Sequence, residues 1–522
     1  MPLATNPYDQ QVVGRILEMA APATPWYRRL WHSGPLLTAR ELLESGELGG
    51  AATSAKRDLQ ADLIATLRDD AGLGPHAHAI RTALPKDARD LVAGSHAWHA
   101  LQLATDTATP DYLTRWAATF RTSRQHSAEF VARRLAAHML DAGWSPKYLH
   151  RWLTYRVVHR TSIVDLADIL DEAAADIALP HRLFQFCVPL AQNPPLPRPT
   201  PSGWLTARDA ATWQHANIPS FRPARQSGAL ILEIQAADIY SAADIARSQL
   251  SSLAARFSVG GRRELRFGIE MWVAGVPAPL PIEDSPRRVE VHSFERLERL
   301  FEQAIPEALA SALVLMEPLD RGTPAAATMG SWAAIESLLV GPADSPNTVA
   351  ADRMANIVAS SFMRAELTVL AWAHARAAND SLAAAIKAVT ENRDKADILE
   401  RSFASLTLTR SSDEWAAARL APLLRDPATG VRSLQVVLQR VFRRLYRQRN
   451  VIAHGGRTHS VGLDSTIRLA APLIGEGMDR ISHALLKHGV APLRLSAGAK
   501  IKVSTLKPAT AARGSGVVDL LE

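Results

Sequence analysis

The sequence predicts a mainly α protein: an N-terminal helical domain, a small α/β module in the middle and a C-terminal helical bundle. Alanine, leucine and arginine dominate its 522 residues, a bias that favours helix. Apolar residues recur at three- and four-residue spacings along most of the chain. Between about residues 229 and 295 that period gives way to short apolar runs flanked by turn residues.

Composition narrows the class further. Hydrophobic residues make up 47% of the chain and charged residues 21%, a balance that can bury a core and is not that of a disordered chain. A chain this long has room for two to four domains. The net charge of +7 permits contact with nucleic acid without requiring it. Cys187 is the single cysteine. Disulfide frameworks, thiolate zinc sites and iron–sulfur clusters within one chain are therefore excluded. The opening MPLATNPYDQ lacks a basic region followed by an apolar run, so no signal peptide is expected. No run of about 18 apolar residues occurs, and no membrane span or membrane partner is expected. The expected location is cytoplasmic.

Residues 1–190 read as helical throughout, with stripes in VVGRILEMA (12–20), ARELLESGEL (39–48), KRDLQADLIATLRDD (56–70), the long segment 111–143 and IVDLADILDEAAADI (163–177). No fixed repeat period appears, which argues against a solenoid. GWSPKYLHRWLTYRVVHR (143–160) is basic and aromatic. It suits either a nucleic-acid surface or an amphipathic helix whose arginines snorkel. His76 with His78, and His96 with His99, have chelating spacings. No carboxylate motif accompanies them, so loop or surface histidines are expected rather than a metal site.

AQNPPLPRPTPSG (191–203) is proline-rich and reads as a semi-rigid linker, with the linker region extending to 228. The α/β module (229–295) follows. ALILEI (229–234) is a strand, 240–259 an amphipathic helix, and ELRFGIEMWVAG (264–275) a second strand after Gly260–Gly261. RVEVHSF (288–294) is a possible third. The order suggests a βαβ unit. Neither G-x-x-x-x-G-K-[ST] nor G-x-G-x-x-G follows a strand, and no nucleotide cofactor is expected. From 296 to 490 the chain is helical again. The tail, 491–522, is read as loose, docking by its last residues.

The functional signal lies in LYRQRNVIAHGG (445–456). Leu438, Phe442, Leu445 and Ile452 form a helical stripe. Arg449 continues that stripe where an apolar residue belongs, and a guanidinium is rarely buried unless paired. It should therefore either pair with a carboxylate or face an anion. Asn450 follows directly. His454 comes five positions after the arginine, and Gly455–Gly456 should end the helix. On MGSWAAIESLLVG (329–341), Glu336 shares a stripe with Trp332 and Leu339. It is the expected partner of Arg449. Tyr446, Arg447 and Arg443 fall near the same region by helical spacing.

Here the sequence resembles the HEPN superfamily (higher eukaryotes and prokaryotes nucleotide-binding domains), in particular its ApeA-like branch. The family's R-x4-6-H motif, with a polar residue after the arginine, is matched by Arg449, Asn450 and His454. A W-x-x-x-E-x-L-L element is matched by Trp332, Glu336, Leu338 and Leu339, and an A-x-R-x-A-like element by Ala351, Arg353 and Ala355. The resemblance covers roughly residues 300–490 and leaves the first 300 unassigned. It implies a HEPN-like bundle at 296–490 and a metal-independent endoribonuclease whose two R-x4-H motifs share one homodimer cleft. Arg449, His454 and Asn450 would be catalytic, supported by Glu336, Tyr446 and Arg353. The substrate would be RNA, with no cofactor or metal. The setting would be anti-phage defence, abortive infection or toxin action, with a phage component or regulator sensed through the N-terminal regions.

The chemistry suits those residue types. RNA carries its own nucleophile in the 2′-OH. Histidine exchanges protons near neutral pH, and arginine's planar fork binds two phosphoryl oxygens. A different class of reading stays open: a non-catalytic helical adaptor or dimerisation module binding a nucleotide or protein. A third, a nucleic-acid-binding regulator using 143–160, lacks a helix-turn-helix pattern.

Overall fold

The computed structural model describes residues 6–522 except 49–52, 159–164, 193, 195, 198, 220–225, 262–263, 284–285, 303, 345–347 and 511–512. The end of the basic segment 143–160 and most of the loop 218–228 thus lie outside the described residues. The chain is mainly helical, as its composition predicts.

Helix starts follow local chemistry. Asn6 accepts from the Tyr8 amide at 3.0 Å ahead of helix Pro7–Ala20. Ser127 and Asp165 cap helices Ala128–Asp141 and Leu166–Ala178 in the same way. Such side-chain oxygens satisfy amides that have no partner in the first turn. The N-terminal helices do not close a core of their own. One continuous apolar cluster runs from Val12, Ile16 and Leu42 through Trp116 and Leu135 to Trp332, Leu367, Phe442 and Ile474. N-terminal and C-terminal helices are therefore packed as one body.

The histidine pairs lie on helices and not in loops. His76 opens helix His76–Ala83, which also carries His78, and His96 and His99 belong to His96–Ala108. No His/Cys/Asp/Glu group able to hold a metal occurs among the described residues. Basic and aromatic residues of helix Pro146–Val158 are engaged by their own chain. Arg156 pairs with Glu172 and Asp176 and lies 3.9 Å from the Trp152 ring centroid. Lys147 lies 4.5 Å from that of Tyr240. Most of the helix's visible chemistry is thus spent on packing.

The α/β module holds a five-stranded sheet with a core of its own, built on Phe186, Val188, Ile234, Leu250 and Met271. Its strands are β1 (Arg182–Leu190), β2 (Trp204–Thr206), β3 (Gly228–Ala236), β4 (Glu270–Val273) and β5 (Leu280–Pro281), in spatial order β2-β3-β1-β4-β5. Every neighbouring pair is antiparallel, with Arg182 opposite Ala236 and Leu190 opposite Gly228. The expected crossover is present but split. β3 and β4 run the same way and are joined by helix Ile239–Gly261, yet β1 lies between them. β1 falls in the stretch read as the end of the helical region, and β2 in the stretch read as linker. RVEVHSF forms no strand. It lies along helix Leu463–His488, where the Ser293 amide donates to Asp479 at 2.6 Å.

No helix is long and apolar enough to cross a membrane among the described residues. The tail carries helix Pro492–Thr505 and then docks through buried Val517, Val518 and Leu520.

Candidate active site on the arginine-rich helix

Helix Pro427–Gly455 carries the motif at its C-terminal end. Asp426 caps its start with Pro427 in the first turn, where proline's missing amide costs nothing. Its end is a left-handed glycine cap: Gly456 sits at φ 62°, its amide donates to the Ile452 carbonyl and that of Arg457 to the Val451 carbonyl. Glycine takes that conformation without a Cβ penalty. The two glycines thus act as the sequence suggested.

The helix buries two faces. Leu438, Val441, Phe442 and Leu445 enter the shared core. Arg444, Arg447 and Gln448 are also buried, on the side that meets the N-terminal helices. The Arg444 Nε donates to Glu41 Oε1 at 2.8 Å, from helix Pro35–Glu47. Arg447 and Arg440 each reach Asp62 at 3.4 Å, from helix Thr53–Thr66. Arg443 donates to Asp352 at 2.9 Å and lies 3.9 Å from Asp58. Burial pushes the Asp62 carboxyl up, against the pull of Arg447 and Arg440, and lowers the Arg447 guanidinium despite Asp62. At 3.4 Å their attraction does not offset the loss of water.

Arg449 stands apart from these four. It is half-buried, its Nη1 donates to Asn450 Oδ1 at 3.0 Å, and it forms no ion pair among the described residues. The expected Glu336–Arg449 bridge is not formed. Glu336 is half-buried on helix Pro324–Leu339 and joins no ion pair among the described residues. The reason is rotational. The fully buried arginines sit two and five positions earlier, on the face toward the N-terminal helices, while Arg449 has reached the last turns, where water can still solvate it.

Other candidate residues have structural work. Tyr446 is buried with its ring 4.9 Å from that of fully buried Trp332. Arg353 bonds Asp344 and the Leu339 carbonyl, the latter at 2.8 Å, and so closes the end of helix Pro324–Leu339. Neither pairs with Arg449. His454 is exposed one residue before the helix ends. The chain leaving the motif is tied to helix Pro35–Glu47: Arg457 donates to Glu47 at 2.9 Å, and Ser460 to Glu44 at 2.6 Å. Burial raises the Glu44 carboxyl, against the Ser460 hydroxyl and the Val461 amide, which both lower it. A Cβ on Gly455 would lie 3.1 Å from Leu48.

Glu41, Asp58 and Asp62 therefore position the motif helix, although nothing in their own sequence surroundings marks them. The legible signal was the spacing of Arg440, Arg443, Arg444 and Arg447, a cationic stripe of three- and four-residue steps. Comparison with known families, with curated proteins and with solved structures returns no match for this chain.

Proposed function

We propose that the protein is a metal-independent endoribonuclease that works as a homodimer, with Arg449 and His454 of both copies at one cleft. The observation that carries this reading is selective pairing. From Arg440 to Arg447 every arginine of the helix has a carboxylate within ion-pair distance, while Arg449 has, among the described residues, only the neutral Asn450 amide. A guanidinium oriented yet not neutralised is suited to a phosphate. Asn450, and not Glu336, is the residue that orients it.

On one helix, five positions separate Arg449 and His454 by about 7.5 Å of rise and roughly 140° of rotation. One copy therefore supplies a clamp and a proton carrier that face different ways, and a two-fold axis would let the clamp of one copy meet the histidine of the other. In the reaction, one His454 imidazole takes the proton of a ribose 2′-OH. The 2′ oxygen forms a bond to the adjacent phosphorus as the bond from phosphorus to the 5′ oxygen breaks. The second His454, protonated, gives its proton to that leaving oxygen. Arg449 balances the charge gathering on the phosphoryl oxygens. The products are a 2′,3′-cyclic phosphate and a 5′-hydroxyl.

RNA is the substrate class in this reading. The role is that of an anti-phage, abortive-infection or toxin effector, with the N-terminal helices and α/β module as the sensing part. The Glu41, Asp58 and Asp62 contacts couple movement of those helices to the motif helix. The test is cleavage of a single-stranded RNA in EDTA beside the same strand carrying 2′-deoxyriboses. The RNA should be cut and the deoxy strand spared. Equal cutting of both, or dependence on added divalent metal, would overturn the proposal.

A further inference from the structure

A cavity of about 140 Å³ lies away from the motif helix, between helices Val349–Ala377 and Leu463–His488 and the docked tail. Its wall carries three guanidiniums, from Arg296, Arg364 and Arg480, with Ser360, Thr368 and Asn392 beside them. No carboxylate-bearing residue lines it among the described residues. The acids that pair with these arginines do so from outside the lining. Asp479 holds Arg296 at 2.5 Å and Arg480 at 3.2 Å, Glu476 holds Arg480 at 2.7 Å, and Glu522 holds Arg364 at 2.7 Å.

Two further features suit an acceptor-rich ligand. The Ser360 hydroxyl is buried and has no hydrogen-bond partner among the described residues. A buried hydroxyl left unmade costs about 1–3 kcal/mol, so such groups are normally satisfied. Arg364 is the strained one of the three, whereas, against burial, Glu476 and Asp479 raise the Arg480 guanidinium. Burial lowers the Arg364 guanidinium, Glu522 works against that, and Arg480 and Arg393 add to it. The cavity is far larger than the roughly 10–15 Å³ a single water needs. It is smaller than the roughly 300 Å³ at which pockets begin to enclose drug-sized ligands.

We propose that this cavity is a binding site for a phosphate group, held by Arg296, Arg364 and Arg480 with the Ser360 hydroxyl as a further donor. Planar guanidiniums and a hydroxyl are donors matched to a tetrahedral oxyanion, and the compact volume takes a phosphate and not a whole nucleotide. Glu522 is an internal competitor. Its carboxylate occupies one side of Arg364, and the segment carrying it is fastened by Arg393 to Asp519 at 2.6 Å and by Lys502 to the Asp519 carbonyl at 3.0 Å. Val518 and Leu521 of that segment line the cavity. Phosphate binding and tail docking thus draw on the same arginine.

The experiment is calorimetric titration of the full chain with inorganic phosphate, with 5′-AMP and with adenosine, against chloride at matched ionic strength. Phosphate or 5′-AMP should bind, adenosine should not, and the tighter of the first two identifies a free ion or a nucleotide's phosphate end. Ser360→Ala, which keeps the fold's packing, should weaken binding about tenfold, the loss of one bond to a charged group. Glu522→Gln should tighten it several-fold by removing the competitor. Absence of binding by both phosphate and 5′-AMP at millimolar concentration, or binding unaltered by Ser360→Ala and Arg364→Gln, would overturn the proposal.

Discussion

Replacing Glu41 by leucine should be among the most damaging single changes away from the motif. The Glu41 and Arg444 side chains are 3% and 5% exposed. Arg444 Nη1 already lacks a hydrogen-bond partner among the described residues. Glu41 is also pressed against the start of helix Leu463–His488, since a Cβ on Gly462 would lie 1.6 Å from its carboxylate oxygen. Leucine keeps the volume and removes the charge, leaving a buried guanidinium alone, at a cost of about 3–5 kcal/mol. Whole-protein stability is commonly about 5–15 kcal/mol, so the loss should be plain in urea unfolding followed by tryptophan fluorescence. The double variant Glu41→Leu with Arg444→Met removes both charges and should recover most of it, to within about 1 kcal/mol of the parent. Since the N-terminal and C-terminal helices share one core, they should unfold together in each variant, whether or not the α/β module, with its separate core, melts apart from them. A cost below about 1 kcal/mol for Glu41→Leu alone, or additivity in the double variant, would refute the claim that this pair joins the two parts of the chain.

Gly456→Ala forces a Cβ onto a left-handed residue and should cost about 1–2 kcal/mol, read as a lower Tm, with loss of order in the motif's last turn; an unchanged Tm would contradict the cap. Trp332→Ala should cost about 3–5 kcal/mol and loosen Tyr446, measured by urea unfolding and by the fluorescence of the remaining tryptophans. His138 sets a pH dependence. Burial, then Arg40 and Arg115, lowers its pKa to about 3, and its ring stacks on Tyr112 at 4.1 Å. The unfolded chain, with a histidine pKa of about 6.5, binds the proton more readily, so this contribution is complete above pH ~6.5 and lost as pH falls toward ~3. The limiting slope is about 1.4 kcal/mol per pH unit. His138→Phe should preserve the stack and flatten the stability profile between pH 7 and 5; an unchanged profile would assign the dependence elsewhere.

The helical architecture was legible because apolar stripes recur at helical spacing and several helices start on capping residues, as those after Ser127 and Asp426 do. The sheet was only half legible. ALILEI is a central strand and reads as one, whereas RLFQFCVPL was masked by helices before it, and its partners β3 and β4 lie 38 or more residues further on. A local pattern cannot reveal which strand enters between two others. At the candidate site the helix, its glycine end and the placing of His454 in the last turn were readable from local spacing. The partner of Arg449 was not. Glu336 looked right by stripe, yet the carboxylates that reach this helix from the N-terminal region come from Glu41, Asp58 and Asp62, about 400 residues away in sequence, and they hold Arg440, Arg443, Arg444 and Arg447. Periodicity finds the face of a helix that is buried in apolar contact. It does not find a second face buried among charges.

The central claim rests on Arg449 and His454 acting in one reaction. The direct measurement is cleavage of a single-stranded RNA in EDTA by the wild-type chain, by Arg449→Ala and by His454→Ala, each purified identically and shown to be folded by its unfolding transition. The account predicts cutting by the wild type with 2′,3′-cyclic phosphate ends, and a loss of at least about 100-fold in each variant. Cutting by both variants at the wild-type rate would contradict it.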